Sequence, residues 1–243
     1  MIRFHPSSVG LLMSDAQSVD LAILPPDLRD IASKSRKSAA DTERLLPYKE
    51  LSLSAGAKSY LMGLAKEFVF GYHKVVTTKF MDKGLLLEDE AIAFINKMRF
   101  KSYAKNTERR VSQYLTGECD IYEPGVKTID TKVAWDLSTF PALSSEAHDP
   151  LYMWQGVSYM KLWPDVHEHE VAFIMLDTPD DLRKWEQPEL HEVSHIDPAL
   201  RITSITYKRD PALEQKLDAK CAVAHNYLMD LVAQIKLEHR EAA

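Results

Sequence analysis

Cysteine is almost missing from this chain. Cys119 and Cys221 are the two in 243 residues, and neither stands in a C-x-x-C spacing. That excludes a disulfide framework and a thiolate zinc site, and both thiols are expected to be reduced. Long apolar runs are missing as well. The longest, Val171 to Leu176, has six residues, far short of the roughly 20 that cross a bilayer. The opening Met-Ile-Arg-Phe-His-Pro lacks the basic-then-apolar layout of a signal peptide. No membrane association is expected, and the cytoplasm is the expected location. Glycine (8) and proline (12) are too sparse for a collagenous or low-complexity chain, and neither charge sign dominates, with 30 Lys+Arg against 36 Asp+Glu giving −6. This balance argues against indiscriminate binding to polyanions but leaves room for a local basic patch. What remains, 45% hydrophobic and 27% charged residues, describes an ordinary globular chain with a sizeable core.

Residues 1–50 lack sustained periodicity and are interrupted by Pro6, Pro25, Pro26 and Pro47, which predicts an irregular arm with one short helix ahead of a single domain over 51–243. From Ser54 onward Leu61, Leu64, Ala65, Phe68, Val69 and Tyr72 recur at helical spacing, and a second helix is expected from Asp82 to Arg99. Alternating segments at 113–122 and 126–135 flank Glu123-Pro124-Gly125, which predicts a β-hairpin. Asp149-Pro150 opens a helix that stops near Trp163-Pro164. Thr178-Pro179 opens a short helix after a strand at 169–176, and Asp210-Pro211 opens a long one after a strand at 200–207. This order implies an α/β fold, a mixed sheet flanked by helices.

On the second helix, Leu87, Ala91, Ile92, Phe94, Ile95 and Met98 share one arc, and Glu88 falls inside it. A carboxylate turned toward a core needs compensation. A metal ion, a salt bridge to a Lys or Arg at the core edge, or a rotated helix would each provide it. In the hairpin, Thr116, Glu118 and Asp120 share one face of the first strand, and Thr128, Asp130 and Lys132 share one face of the second. A loop with an odd number of residues centred near Gly125 sets Asp120 opposite Asp130. Opposed carboxylates repel, so the pair suggests a divalent cation with oxygen ligands, Mg²⁺ or Mn²⁺, and Lys132 beside it as a point charge. Solvent-facing strands alternate charges in the same way without any ion. Gln155 and Tyr159 stand i, i+4 on the following helix. Lys97, Arg99, Lys101, Lys105, Arg109 and Arg110 gather around one acid, Glu108, with Phe100 and Tyr103 interleaved. That stretch reads as a phosphate-facing patch or as a solvated helix end and loop.

Taken in order, Gly84-x-x-x-Glu88, Gly117-x-x-Asp120, Asp130-Thr131-Lys132 and Gln155-x-x-x-Tyr159 resemble the PD-(D/E)XK nuclease superfamily. The resemblance is to the branch holding the RecB nuclease domain and the phage lambda-type (YqaJ-like) exonucleases, and it runs from about Ser54 to the last helix. It implies a restriction-endonuclease-like core in which Glu88, Asp120, Asp130 and the Thr131 carbonyl hold one or two Mg²⁺ (or Mn²⁺). Lys132 would orient or activate water, while Gln155 and Tyr159 would brace the site and touch the DNA backbone. The implied activity is metal-dependent exonuclease cleavage of linear duplex DNA in phage or prophage recombination, in the host cytoplasm if the gene is a phage's. A single-strand annealing protein is the implied partner, and a homo-oligomer the implied assembly. Cys119 stands where the superfamily's name has Pro.

Rival readings follow from the same residues. One is a nuclease fold that binds DNA or a partner without catalysis, and another is a structure-specific endonuclease using the same site. A third is a zinc peptidase, because His191-Glu192-Val193-Ser194-His195 is a literal H-E-x-x-H. Pro188 and Asp197-Pro198 leave that motif barely two turns of helix. His167 and His169 are expected in a solvated loop that leads into the next strand.

Overall fold

A computed structural model describes residues 2–241. The N-terminal fifty residues differ from the predicted arm. They hold α1 (Pro6–Met13), α2 (Pro26–Ser33) and α3 (Ala39–Leu51). Of the prolines that looked like interruptions, Pro6, Pro25 and Pro26 sit at the starts of α1 and α2, where the missing N–H is unneeded, and Pro47 lies inside α3. Ser38 and Asp41 cap α3 reciprocally. Phe4 is fully buried, and its backbone bonds Tyr114 and Thr116, so the chain start belongs to the core.

Ser54 caps α4 (Ala55–Phe70) as its sequence predicts. The helix expected over 82–99 is instead two: α5 (Lys79–Leu86) and α6 (Glu88–Arg99) meet at Leu87, whose φ −103°, ψ 10° breaks the ladder. Lys83 accounts for the break. Its buried ammonium donates to the carbonyls of Ala134 (2.7 Å), Trp135 (2.9 Å) and Leu176 (2.9 Å), fixing α5 across the strand ends while α6 lies on the sheet. Burial pushes that ammonium down to about 8, against the pull of Asp136 and Asp177.

The predicted hairpin forms in its second half only. β1 (Arg110–Val111) pairs with β2 (Thr116–Gly117), and β3 (Ile121–Glu123) pairs antiparallel with β4 (Lys127–Val133) around Gly125, whose φ of +70° suits glycine. Then come α7 (Pro150–Leu162), β5 (Glu168–Ile174), α8 (Asp180–Arg183), α9 (Pro188–His191), β6 (Ile202–Lys208) and α10 (Pro211–Glu241). The sheet runs β3-β4-β5-β6, with β4 and β5 parallel across the α7 connection and both outer pairs antiparallel. It is the mixed sheet flanked by helices that the sequence predicts.

Period-two alternation divides β4 and β5 between two layers. Ile129, Ala172 and Ile174 pack on α6 with Ala91, Ile92 and Ile95. Thr128, Asp130 and His169 face α7, which is backed by α1, α4 and α10 through Leu12, Leu61, Met160, Trp163, Leu217 and Leu228. His169 is therefore no loop residue. It is fully buried, its ring 5.3 Å from Tyr159, and burial pushes its pKa down to about 4, so the ring is neutral. A Cβ on Gly156 would stand 2.6 Å from that ring. Because the ring has nowhere to retreat, Gly156→Ala is expected to cost about 1–3 kcal/mol in urea unfolding, and an unchanged midpoint would show that the α7–β5 contact can yield. Among the described residues no helix is long and apolar enough to cross a membrane.

Candidate active site

An open cleft of about 520 Å³ lies at the end of β4, lined among others by Glu88, Asp120, Asp130, Thr131, Lys132, Trp135 and Tyr152. The hairpin register creates its centre. Ile121 pairs with Ile129, so the next step outward sets Asp120 across from Asp130, as an odd loop centred on Gly125 predicts. The Asp120 carboxylate accepts from the Thr131 N–H (2.6 Å) and hydroxyl (2.8 Å) through Oδ2. Burial first, and then the Asp130 charge, pushes its pKa up to about 7, beyond what those bonds recover.

Asp130 is 4% exposed and accepts from Gln155 Nε2 at 3.0 Å through Oδ1. Its Oδ2 lies 2.6 Å from Lys132 Nζ, but out of line for a hydrogen bond, so that buried oxygen has a cation beside it and no directed donor. Burial works against the Lys132 charge, yet Asp130 outweighs it and holds the ammonium above its usual range. Nζ also stands 5.3 Å from the Tyr152 ring centroid.

Glu88 opens α6, where unpaired N–H groups and the helix dipole favour a carboxylate. Of the alternatives left open for it, the salt bridge is present: Lys105 Nζ is 2.9 Å from Oε2. Tyr159 donates to the Glu118 carbonyl at 3.0 Å. With Gln155 4% and Tyr159 5% exposed, both brace the hairpin from beneath. They are too deep for the contact with a DNA backbone that was expected of them.

The basic stretch is less available than its sequence suggests. Arg99 forks onto buried Glu170 with Lys127, Lys101 meets Glu123 (2.9 Å), Arg109 meets Glu118 (3.5 Å), and Arg110 meets Glu108 (2.9 Å) and Asp165 (3.8 Å). With Lys105 on Glu88, five of the six cations have acidic partners, and Lys97 is exposed on α6. Apart from Glu108, these acids arrive from other elements, which local composition does not reveal. Lys83, Trp135 and Tyr152 were not among the candidate site residues read from the sequence. Lys105 was, as one of the basic stretch, though its pairing with Glu88 was not.

The H-E-x-x-H reading fails. α9 has four residues and ends at His191, which is buried, while His195 lies beyond it on the surface, so the two histidines do not share a helix face. Cys119 and Cys221 are free, buried thiols.

The donors around Asp120 and Asp130 are all oxygen, one of them buried without a directed partner, and two desolvated carboxylates face each other. That combination fits a hard divalent cation, with Glu88 at the rim as a third carboxylate.

No protein-family model and no curated protein matches the chain. Among solved structures, a phage-related exonuclease from Haemophilus somnus 129PT is 29% identical, with a TM-score of 0.78 over 96% of both chains. An alkaline exonuclease from Laribacter hongkongensis is 13% identical, with a TM-score of 0.60 over 99% of this chain and 95% of its own, and its complex with dAMP matches equally well at 14%. These last two speak for the fold alone. In fold and in the order of its motif residues, this chain resembles the phage lambda-type exonuclease branch of the PD-(D/E)XK nuclease superfamily.

Proposed function

We propose that the protein is a divalent-cation-dependent exonuclease that degrades one strand of linear duplex DNA. The observation that carries this reading is the opposed pair Asp120 and Asp130 with Lys132 in one open cleft. Its likeness to a phage-related exonuclease over nearly the whole chain supports it.

In this reading Asp120, Asp130, Glu88 and the Thr131 carbonyl hold Mg²⁺ or Mn²⁺, one ion or two. A cation held there eases deprotonation of water and offsets the charge that gathers on the phosphate in the transition state. The remaining work belongs to the chain. Gln155 and the Thr131 N–H fix the two aspartates, so their reorganisation cost is met in folding rather than at the moment of reaction. Lys132, held protonated by Asp130, acts as a hydrogen-bond donor and point charge. It orients the attacking oxygen and does not remove its proton. The attacking water gives one proton to solvent as its oxygen bonds phosphorus, the opposite P–O bond breaks, and the leaving oxygen takes a proton from solvent. Lys105 and Lys97, at the rim and on α6, are the cations of the basic stretch best placed to meet phosphates. An annealing protein that receives the exposed strand, and a homo-oligomer that encloses the duplex, accompany this reading, as does a cytoplasmic location.

End-labelled linear duplex and closed circular DNA, each incubated with Mg²⁺, Mn²⁺ or EDTA, test it. Metal-dependent loss of the linear substrate alone is expected. Cutting of circles would turn the reading to an endonuclease, and no cleavage under any metal would turn it to a binding role.

A further inference from the structure

His191 is a buried titratable side chain that the cleft chemistry does not use. Its ring is fully shielded from solvent at the end of α9. Asp136, just past β4, and Glu186, in the turn before α9, converge on it, with ligand atoms of all three within 4.8 Å of one another.

Proton counting limits the states of that ring. Thr178 Oγ1 lies 3.0 Å from the Trp135 carbonyl and 3.0 Å from His191 Nδ1. A carbonyl only accepts and a hydroxyl has one proton, so two arrangements exist: the hydroxyl donates to Nδ1 and Nε2–H to Glu186, with Lys83 serving the Trp135 carbonyl, or the hydroxyl donates to Trp135 and Nδ1–H to the hydroxyl. In the second arrangement the lone pair of the ring sits on Nε2. Nε2 points at Glu186 Oε2, 3.2 Å away, which is itself an acceptor. In the second arrangement the two lone pairs stand at hydrogen-bond distance with no proton between them, and a cation bound there joins the buried nitrogen to the half-exposed carboxylate.

Of the nearby lysines, one meets the other oxygen of Glu186 and one is engaged on backbone carbonyls. Lys79 holds Glu186 through Oε1, and the Trp135 indole donates to Oε2 at 2.9 Å. Lys83 is fully occupied by its three carbonyls. Asp136 accepts from Ser138 (2.8 Å) and the Thr139 N–H (2.9 Å) through Oδ1 alone. Asp177 is turned away, onto the Val193 and Ser194 amides.

We propose that Asp136, Glu186 and His191 form a second cation site, separate from the Asp120–Asp130 cleft, that takes one borderline transition-metal ion of the Zn²⁺ class. The imidazole sets that class, because an all-oxygen site suits Mg²⁺ whereas a nitrogen ligand favours Zn²⁺ and its neighbours in the series. Three protein ligands leave a position for water. The bound ion ties the segment from Thr178 to His191 to the end of β4 and so holds Trp135, a wall of the cleft, in place. The H-E-x-x-H sequence contributes only its first histidine to this site, since Glu192 pairs with Arg183.

The test uses the full chain carrying Asp120→Asn and Asp130→Asn, which silences the cleft carboxylates. Titration with Zn²⁺, and with Co²⁺ read by its visible absorption and by quenching of tryptophan fluorescence, is expected to show one tightly bound ion per chain. Glu186→Gln on the same background, at a partly exposed side chain whose change leaves the fold intact, is expected to weaken binding at least about tenfold, and His191→Ala is expected to remove it. No bound ion in the cleft-silenced protein would overturn the proposal, as would binding indifferent to Glu186→Gln. A ring that NMR shows protonated on both nitrogens and unchanged by Zn²⁺ would also overturn it, because a proton would then be the cation between the two groups.

Discussion

Lys132→Met is expected to slow the loss of linear DNA by about 10²–10⁴-fold in single-turnover digestion with Mg²⁺, or roughly 3–5 kcal/mol of barrier. Methionine keeps the stem that runs toward Tyr152 and removes only the ammonium that stands 2.6 Å from Asp130 Oδ2. Because Asp130 holds that ammonium charged against the effect of burial, the loss should be uniform across neutral pH, without the inflection that a deprotonating lysine base would add. A variant retaining more than about a tenth of the wild-type rate would remove Lys132 from the reaction. A rate that falls together with the cooperative unfolding transition would assign it a structural role instead.

Asp120→Asn should end cleavage and yet raise the melting temperature of the metal-free protein at pH 8. The sign follows from linkage. Burial and the Asp130 charge raise the folded-state pKa of Asp120 from 3.8 to about 7, so the fold favours the protonated form. That favourable contribution is complete below about pH 4 and is lost as pH rises through 7. The loss is bounded at about 4 kcal/mol. Asparagine imitates the protonated acid at every pH and still accepts from Thr131. If half of the bound is realised, the gain at pH 8 in EDTA is about 4–8 °C for a chain of this size, and it should fade toward pH 4. Added Mg²⁺ should stabilise the wild type at pH 8 and leave the variant almost unmoved. A lower melting temperature at pH 8, or the same difference at pH 4, would show that the carboxylate pair is not under strain.

Both predictions draw on features that were legible before any coordinates. The Glu123-Pro124-Gly125 turn and the two-residue alternation set Asp120 against Asp130, and the Asp-Pro and Thr-Pro pairs marked where three helices begin. The proposed ligands and Lys132 line one cleft because turn chemistry and strand period are local properties. The helix drawn through Leu87 was wrong for a non-local reason. Lys83 reaches backbone groups 51 to 93 residues away in sequence, and nothing within a helical window announces that anchor. The N-terminal prolines misled in the same way, since Pro6 and Pro26 open helices whose stability comes from packing on α7 and on α3.

Sequence by itself determined the coarse element order past Ser54, apart from the break at Leu87 and the short β1, β2 and α9, and with it the face that carries Thr128, Asp130 and Lys132 and the register across Gly125. In each case the governing forces act between residues a few positions apart. Tertiary structure alone decided which charges meet. It gave Arg99 to Glu170, Lys105 to Glu88 and His191 to Glu186, and it buried His169 where a solvated loop was expected. A charged side chain settles wherever desolvation is best repaid by a partner, and in this fold that partner usually stands on another element of the chain.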